Sequence, residues 1–213
     1  MWRQNKAKII ITSLATLLPS LIGLILWNKL PELVPIHFNF SGVVDDWAGR
    51  PVAVFALPGF FLACQVVCAV AMLHDPRKEN TGGKVISILL WVLPVTSIVT
   101  CMCIYATALN VQINIAVVCF SLLGVLHIVM GNILPKLRHN YTIGIRTSWT
   151  LASQENWHHT HRVAGWSMVI TGVIILASAL WMNAWLILIL LTADVGIPIV
   201  YSFVYYKRHG EDS

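Results

Sequence analysis

The chain has 213 residues, of which 57% are hydrophobic and only 11% charged, with a mean hydropathy of +0.75. Soluble domains carry charge on about a quarter of their residues, so this balance excludes an ordinary soluble domain and indicates a membrane protein. The net charge of +5 is accounted for by a positive-inside excess of Lys and Arg and calls for no nucleic-acid partner.

A membrane span needs roughly 20 apolar residues. Six stretches qualify: Ile9 to Trp27, Val52 to Leu73, Val85 to Leu109, Ile115 to Leu134, Val163 to Met182 and Ala184 to Tyr205. None contains Lys or Arg, and only the last contains a carboxylate, Asp194. The expected fold is all-α: one integral membrane domain over residues 1–213, a six-helix transmembrane bundle with an extended outside loop and an interfacial helix inside. The first span follows Arg3, Lys6 and Lys8. Its apolar run is too long for a signal peptide and W-N-K-L-P is no cleavage site, so it is expected to stay as an anchor. Pro19 should kink it.

Residues 28–51 form the one sizeable loop before the second span. From Ile36 to Ser41 apolar and polar residues alternate, the strand period. Ser41-Gly42 offers a turn, Val43-Val44 a return, and Asp45-Asp46 a second reversal. The result is a flap whose apolar side faces lipid or helix ends and whose polar side carries His37, Asn39, Asp45, Asp46 and Arg50. The third span contains Pro94 and should bend. The longest polar interval, from Gly131 to Arg162, carries Lys136, Arg138, Arg146, Arg162 and four of the eight His. Within it Thr150 or Ser153 can cap a helix with Glu155 in its first turn; that helix is expected to lie in the interface and turn into the fifth span near Gly165. The last two spans should form a hairpin around Asn183.

Twelve of the fourteen Lys and Arg lie on one set of loops and only Lys29 and Arg50 on the other. The positive-inside bias therefore puts both termini and the central loop in the cytoplasm and the flap outside. Trp149, Trp157 and Trp166 mark the inner headgroup level and Trp27, Trp181 and Trp185 the outer one. The five cysteines all fall within spans, against a disulfide framework.

Three constellations could carry chemistry. Asp194, His127 and Gln65 lie ten, twelve and thirteen residues into their spans, depths that agree within about 5 Å at 1.5 Å per residue. They could form a midplane cluster, as in a small transporter; alternatively Asp194 is partly protonated and hydrogen-bonds a neighbouring helix as packing glue. Glu155 shares adjoining helix faces with His158 or His159, and His158 with His161, so Glu155, His158, His159 and His161 could hold zinc, though the pattern is not H-E-x-x-H; anionic lipid headgroups facing a basic, His-rich helix are the alternative. In the flap, His37 with a carboxylate could act as an acid–base pair, or the same side chains could form a recognition surface. The common nucleotide and hydrolase signatures are absent.

The run L-P-E-L-V-P-I-H-F-N-F-S-G-V-V-D-D-W-A-G-R-P resembles an N-terminal domain of unknown function that opens with P-x-H-W/F-N-x-x-G-x-x-D. The run N-Y-T-I-G-I-R-T-S-W-T-L-A-S-Q-E-N-W-H-H-T-H-R-V-A-G resembles the signature of the SdpI family of bacterial immunity proteins. The matching residues are His37, Asn39, Gly42, Asp45 and Trp47 in the first run and Asn140, Gly144, Arg146, Thr147, Trp149, Thr150, Trp157 and Arg162 in the second, with Asn132 ahead of it. Arg138, Tyr141, Glu155 and His161 lie in or beside the second run. Ser148 replaces the usual proline, and Asp194 belongs to neither motif. The resemblance implies a polytopic protein of the bacterial cytoplasmic membrane, without cofactor or catalytic residue, that protects against a secreted peptide toxin. It also implies a possible cytoplasmic repressor partner recruited once toxin binds. On this reading the flap, with His37, Asn39, Gly42, Asp45, Trp47 and Arg50, meets the toxin. A transporter using Asp194 and His127, or a metal-dependent enzyme using the His-rich helix, are the alternatives.

Overall fold

A computed structural model describes residues 2–179, 181 and 184–209. Asn183, the expected tip of the last hairpin, lies outside the described residues. Among the described residues six helical segments are long and apolar enough to cross a membrane: Asn5–Ile25, Val52–His74, Gly83–Ala108, Ile115–Lys136, Gln154–Ser178 and Ala184–His209. The expected six-span helical fold is therefore found, organised as two compact units, Met1–Leu73 with Ile86–Cys119 and His74–Val85 with Phe120–Ser213.

In the first unit, α1 (Trp2–Thr16) and α2 (Leu18–Ile25) are one span broken at Leu17. Pro19 is the cause: it has no N–H to give, and the Ser20 N–H turns back to the Leu17 carbonyl, which takes it from Thr16. The freed Thr16 carbonyl accepts from the Ser97 hydroxyl at 3.0 Å. The same chemistry recurs in α3 (Leu57–His74) and α4 (Gly83–Ala108). Pro94 deprives the Leu90 carbonyl of its helical donor, and the Gln65 amide supplies one at 2.9 Å while also donating to the Thr12 hydroxyl at 3.0 Å. α4 is continuous through Pro94.

The flap is a two-stranded antiparallel hairpin, β1 (Leu33–Phe38) and β2 (Val44–Gly49). Asp45 and Asp46 lie within β2, which corrects the expected second reversal there. The hairpin's buried residue Val34 joins Leu30, Ala53, Val54, Ile104 and Tyr105 in one apolar core, so its inner side packs on helix ends.

In the second unit, α5 (Ile115–Ile133) ends in a short turn at Leu134–Lys136, followed by the signature loop, α6 (Ser148–Ala152), α7 (Gln154–Ser178) and α8 (Ala184–His209). α7 runs unbroken through Gly165, which corrects the expected turn there. Instead Gly165 meets Gly131 of α5, and seven residues along each helix Gly172 meets Gly124. A Cβ added at any of the four would fall 2.6–2.8 Å from the opposing glycine's carbonyl oxygen. Only glycine lets two backbones approach so closely, and this double seam fixes α5 antiparallel against α7.

Candidate functional site

The hairpin tip is built by its own sequence. The Asn39 side-chain oxygen accepts from the N–H groups of Ser41 and Val43, and Gly42 takes φ +76° between them, a left-handed value that favours glycine. Cross-strand register then sets His37 beside the start of β2, with Nδ1 2.6 Å from Asp45 Oδ1. Both side chains are open to solvent. The same hairpin exposes large apolar side chains: Phe40 is 70% exposed, Val43 59% and Trp47 54%. At the base Arg50 donates to the Pro31 carbonyl and stacks over the Trp27 ring, so it serves as a hairpin anchor.

The signature loop divides into residues that hold its shape and residues that face outward. Asn140, 1% exposed, accepts from the N–H groups of Thr142 and Ile143 and donates to the Arg138 carbonyl. Thr147 and Thr150 form a reciprocal capping box on α6, while Ser153 caps α7. Trp149 donates to the Ser202 hydroxyl, Asn156 to the Ser202 carbonyl, and Trp157 to the Leu137 carbonyl. Buried His161 stacks on Trp157, donates from Nδ1 to the Trp157 carbonyl and accepts the Ile145 N–H at Nε2. Both of its nitrogens are in use. The backbone reaches that imidazole only because Gly144, at φ +108°, carries no side chain: a Cβ there would lie 2.2 Å from Nε2.

Asp75, buried at the end of α3, clamps the loop from the other side. It accepts from the N–H groups of Arg77 and Tyr141 and from the Thr142 hydroxyl. Burial alone would raise its pKa; these hydrogen bonds to the charged form outweigh that and hold it below the ordinary carboxylate value. Arg77 donates to His139 Nδ1 and lies over the Tyr141 ring. Burial, and then the Arg77 charge, keep the His139 pKa below its usual value, partly offset by the Leu151 carbonyl.

Facing outward are Arg138, Tyr141, Arg146 and Glu155, of which Arg146 donates to the Tyr141 carbonyl. A cleft of about 460 Å³ where α5 meets α7 gathers Asn132, Lys136, His158, Arg162 and Trp166. This is a basic, aromatic-rimmed surface suited to an anion. The zinc idea finds no geometry: Glu155 sits 4.0 Å from His159, His161 is fully bonded, and no group of three His, Cys, Asp or Glu fit to hold a metal occurs among the described residues.

Of the three midplane candidates, two meet. His127 Nε2 lies 3.7 Å from Asp194 Oδ2, and the hydroxyls of Ser167 and Thr171 donate to Asp194 Oδ1. Gln65 belongs to the first unit, where its amide is bound to Thr12 and Leu90 as described. Sequence reasoning missed Asp75, Ser167, Thr171 and Ser202. Asp75 had a signal in H-D-P at a helix end; the three hydroxyls had none, because which neighbour they meet depends on helix rotation.

The SdpI/YfhL protein family model matches residues 136–202, and the domain of unknown function DUF1648 matches residues 14–62. The chain is 24% identical to the immunity protein SdpI of Bacillus subtilis strain 168 over 208 residues, 94% of this chain and 97% of that protein. No solved structure matches. The resemblance read from the two loops is thus met by direct comparison, and with six apolar helices the chain is a multi-pass bacterial membrane protein.

Proposed function

Starting from this kinship with the SdpI family, we propose that the chain is a non-enzymatic membrane immunity protein that binds a secreted peptide toxin on its hairpin. The relative's immunity function supplies the biological class. The observation that carries the binding surface is the hairpin, which bears a solvent-open His37–Asp45 pair and exposes Phe40, Val43 and Trp47. Aromatic and apolar side chains around a few polar anchors are the composition of a binding hot spot rather than of an ordinary loop. The Lys and Arg distribution supports placing this hairpin outside, where a toxin arrives, and the signature loop and basic cleft inside.

A cytoplasmic partner such as a repressor would dock on that inner face, where Arg138, Tyr141, Arg146 and Glu155 stay outward while buried residues hold the loop rigid. The test is survival of a toxin-sensitive strain expressing the protein, challenged with a panel of secreted peptides. His37→Ala and Trp47→Ala should abolish protection at unchanged membrane abundance. Full protection by both variants would overturn the hairpin as the toxin surface.

A further inference from the structure

The polar group that this function leaves unused lies within the second unit, where α5, α7 and α8 meet at Asp194. The His127 Nδ1 is 2.9 Å from the Leu123 carbonyl oxygen, which can only accept, so Nδ1 carries a hydrogen and donates it. That assignment turns Nε2 toward Asp194 Oδ2, 3.7 Å away. The other carboxyl oxygen, Oδ1, is taken by the Ser167 and Thr171 hydroxyls. Oδ2 is buried without a hydrogen-bond partner, and the two side chains are 13% and 7% exposed.

The proton count follows from this geometry. With hydrogen on Nδ1 only and Asp194 ionised, two lone pairs face each other and the site holds one net negative charge. With both groups protonated it holds one net positive charge. A single added proton leaves the site neutral overall, whether it sits on Nε2 beside a carboxylate or on Oδ2 beside a neutral imidazole. Uncompensated charge inside a membrane is costly, so the one-proton state is favoured. No other charge in the unit's facing segments can substitute. Beyond Arg162, α7 carries no charged residue to Ser178, α5 has His127 and the thiol of Cys119 as its titratable groups, and α8 from Ala184 to Val200 has only Asp194.

We propose that His127 and Asp194 form a proton-binding site inside the second unit, the pair taking up one exchangeable proton on either Nε2 or Oδ2. Proton loss leaves the two lone pairs opposed across the α5–α8 contact, and proton gain restores attraction. The proton is therefore a ligand of the packed form of these three helices. In sequence His127 lies between Gly124 and Gly131, the two α5 glycines that meet α7.

The experiment is pH-difference infrared spectroscopy of the full chain in lipid nanodiscs. The wild type should show a carboxyl band that appears and disappears with pH, absent in Asp194→Asn and shifted in pH by His127→Gln. Asp194→Asn keeps the side chain's shape and can donate to Nε2, so it should fold; its melting temperature should lack the pH step that the wild type shows across the same range. An Asp194 band indifferent to His127→Gln would overturn the proposal and leave Asp194 as packing glue. A wild type with neither band nor pH step would overturn it as well. This readout is independent of toxin survival, so either result stands whatever the hairpin variants do.

Discussion

Gly144→Ala is the most informative single change in the signature loop. The residue sits at φ +108°, outside the comfortable range of any side-chain-bearing residue, which costs on the order of 1–3 kcal/mol. The new methyl would also lie 2.2 Å from His161 Nε2 and 3.0 Å from its Cδ2. The imidazole has little room to retreat. It is 1% exposed, stacked at 4.0 Å on Trp157, and tied through Nδ1 to the Trp157 carbonyl at 2.7 Å. Separating the loop from it would break the Ile145 N–H bond to Nε2, leaving both groups without their partner at a further cost of about 1–3 kcal/mol. The two together come to about 2–6 kcal/mol, a large share of the roughly 5–15 kcal/mol that holds a typical domain folded. Melting of the purified protein in detergent should fall on the order of 10 °C, and hydrogen exchange should rise first at residues 140–147. The control is Gly82→Ala, whose added methyl meets nothing within 4 Å. A Gly144→Ala protein that melts with the control would refute the view that the loop is held by the backbone's close approach to His161.

Gly165→Ala should cost about 1–3 kcal/mol, because the new Cβ would meet the Gly131 carbonyl oxygen at 2.7 Å and Pro135 Cγ at 2.6 Å; melting alongside Gly59→Ala, which meets nothing within 4 Å, measures it. Stability should also fall with acid in two stages. The folded His139 pKa lies below 6.5, so its contribution is complete above that pH and is lost as pH drops through the folded value; Asp75 adds a second loss below 3.8, its pKa being lowered in the same sense. His139→Gln should reduce the loss below pH 6.5 in a melting-versus-pH curve, and an unchanged curve would contradict a contribution from His139. Arg77→Ala should raise the His139 pKa by removing the adjacent positive charge, which histidine NMR reads directly.

Spans, turns and caps were open to reading because each depends on residues close in sequence. Asn39 and Gly42 build their turn alone, Ser153 caps the helix that Glu155 opens, and apolar run length marks each span. Gln65 shows where such reading stops. Its depth in the span matched that of Asp194, but depth says nothing of which way a helix face turns, and the amide meets the carbonyl that Pro94 sets free. His161 shows the same limit: its spacing from Glu155 and His158 allowed a metal, while a loop sixteen residues back in the chain takes one of its nitrogens.

What the chain's letters determined by themselves was therefore the six runs long and apolar enough to span, the loops that carry the polar surface and the turn at Gly42, since hydropathy and local hydrogen bonding act over a few residues. Tertiary structure alone decided the partners. Whether His127 faces Asp194, whether Gly131 touches Gly165 and which carbonyl each buried donor satisfies depend on the rotation and spacing of whole helices, which packing between distant segments sets.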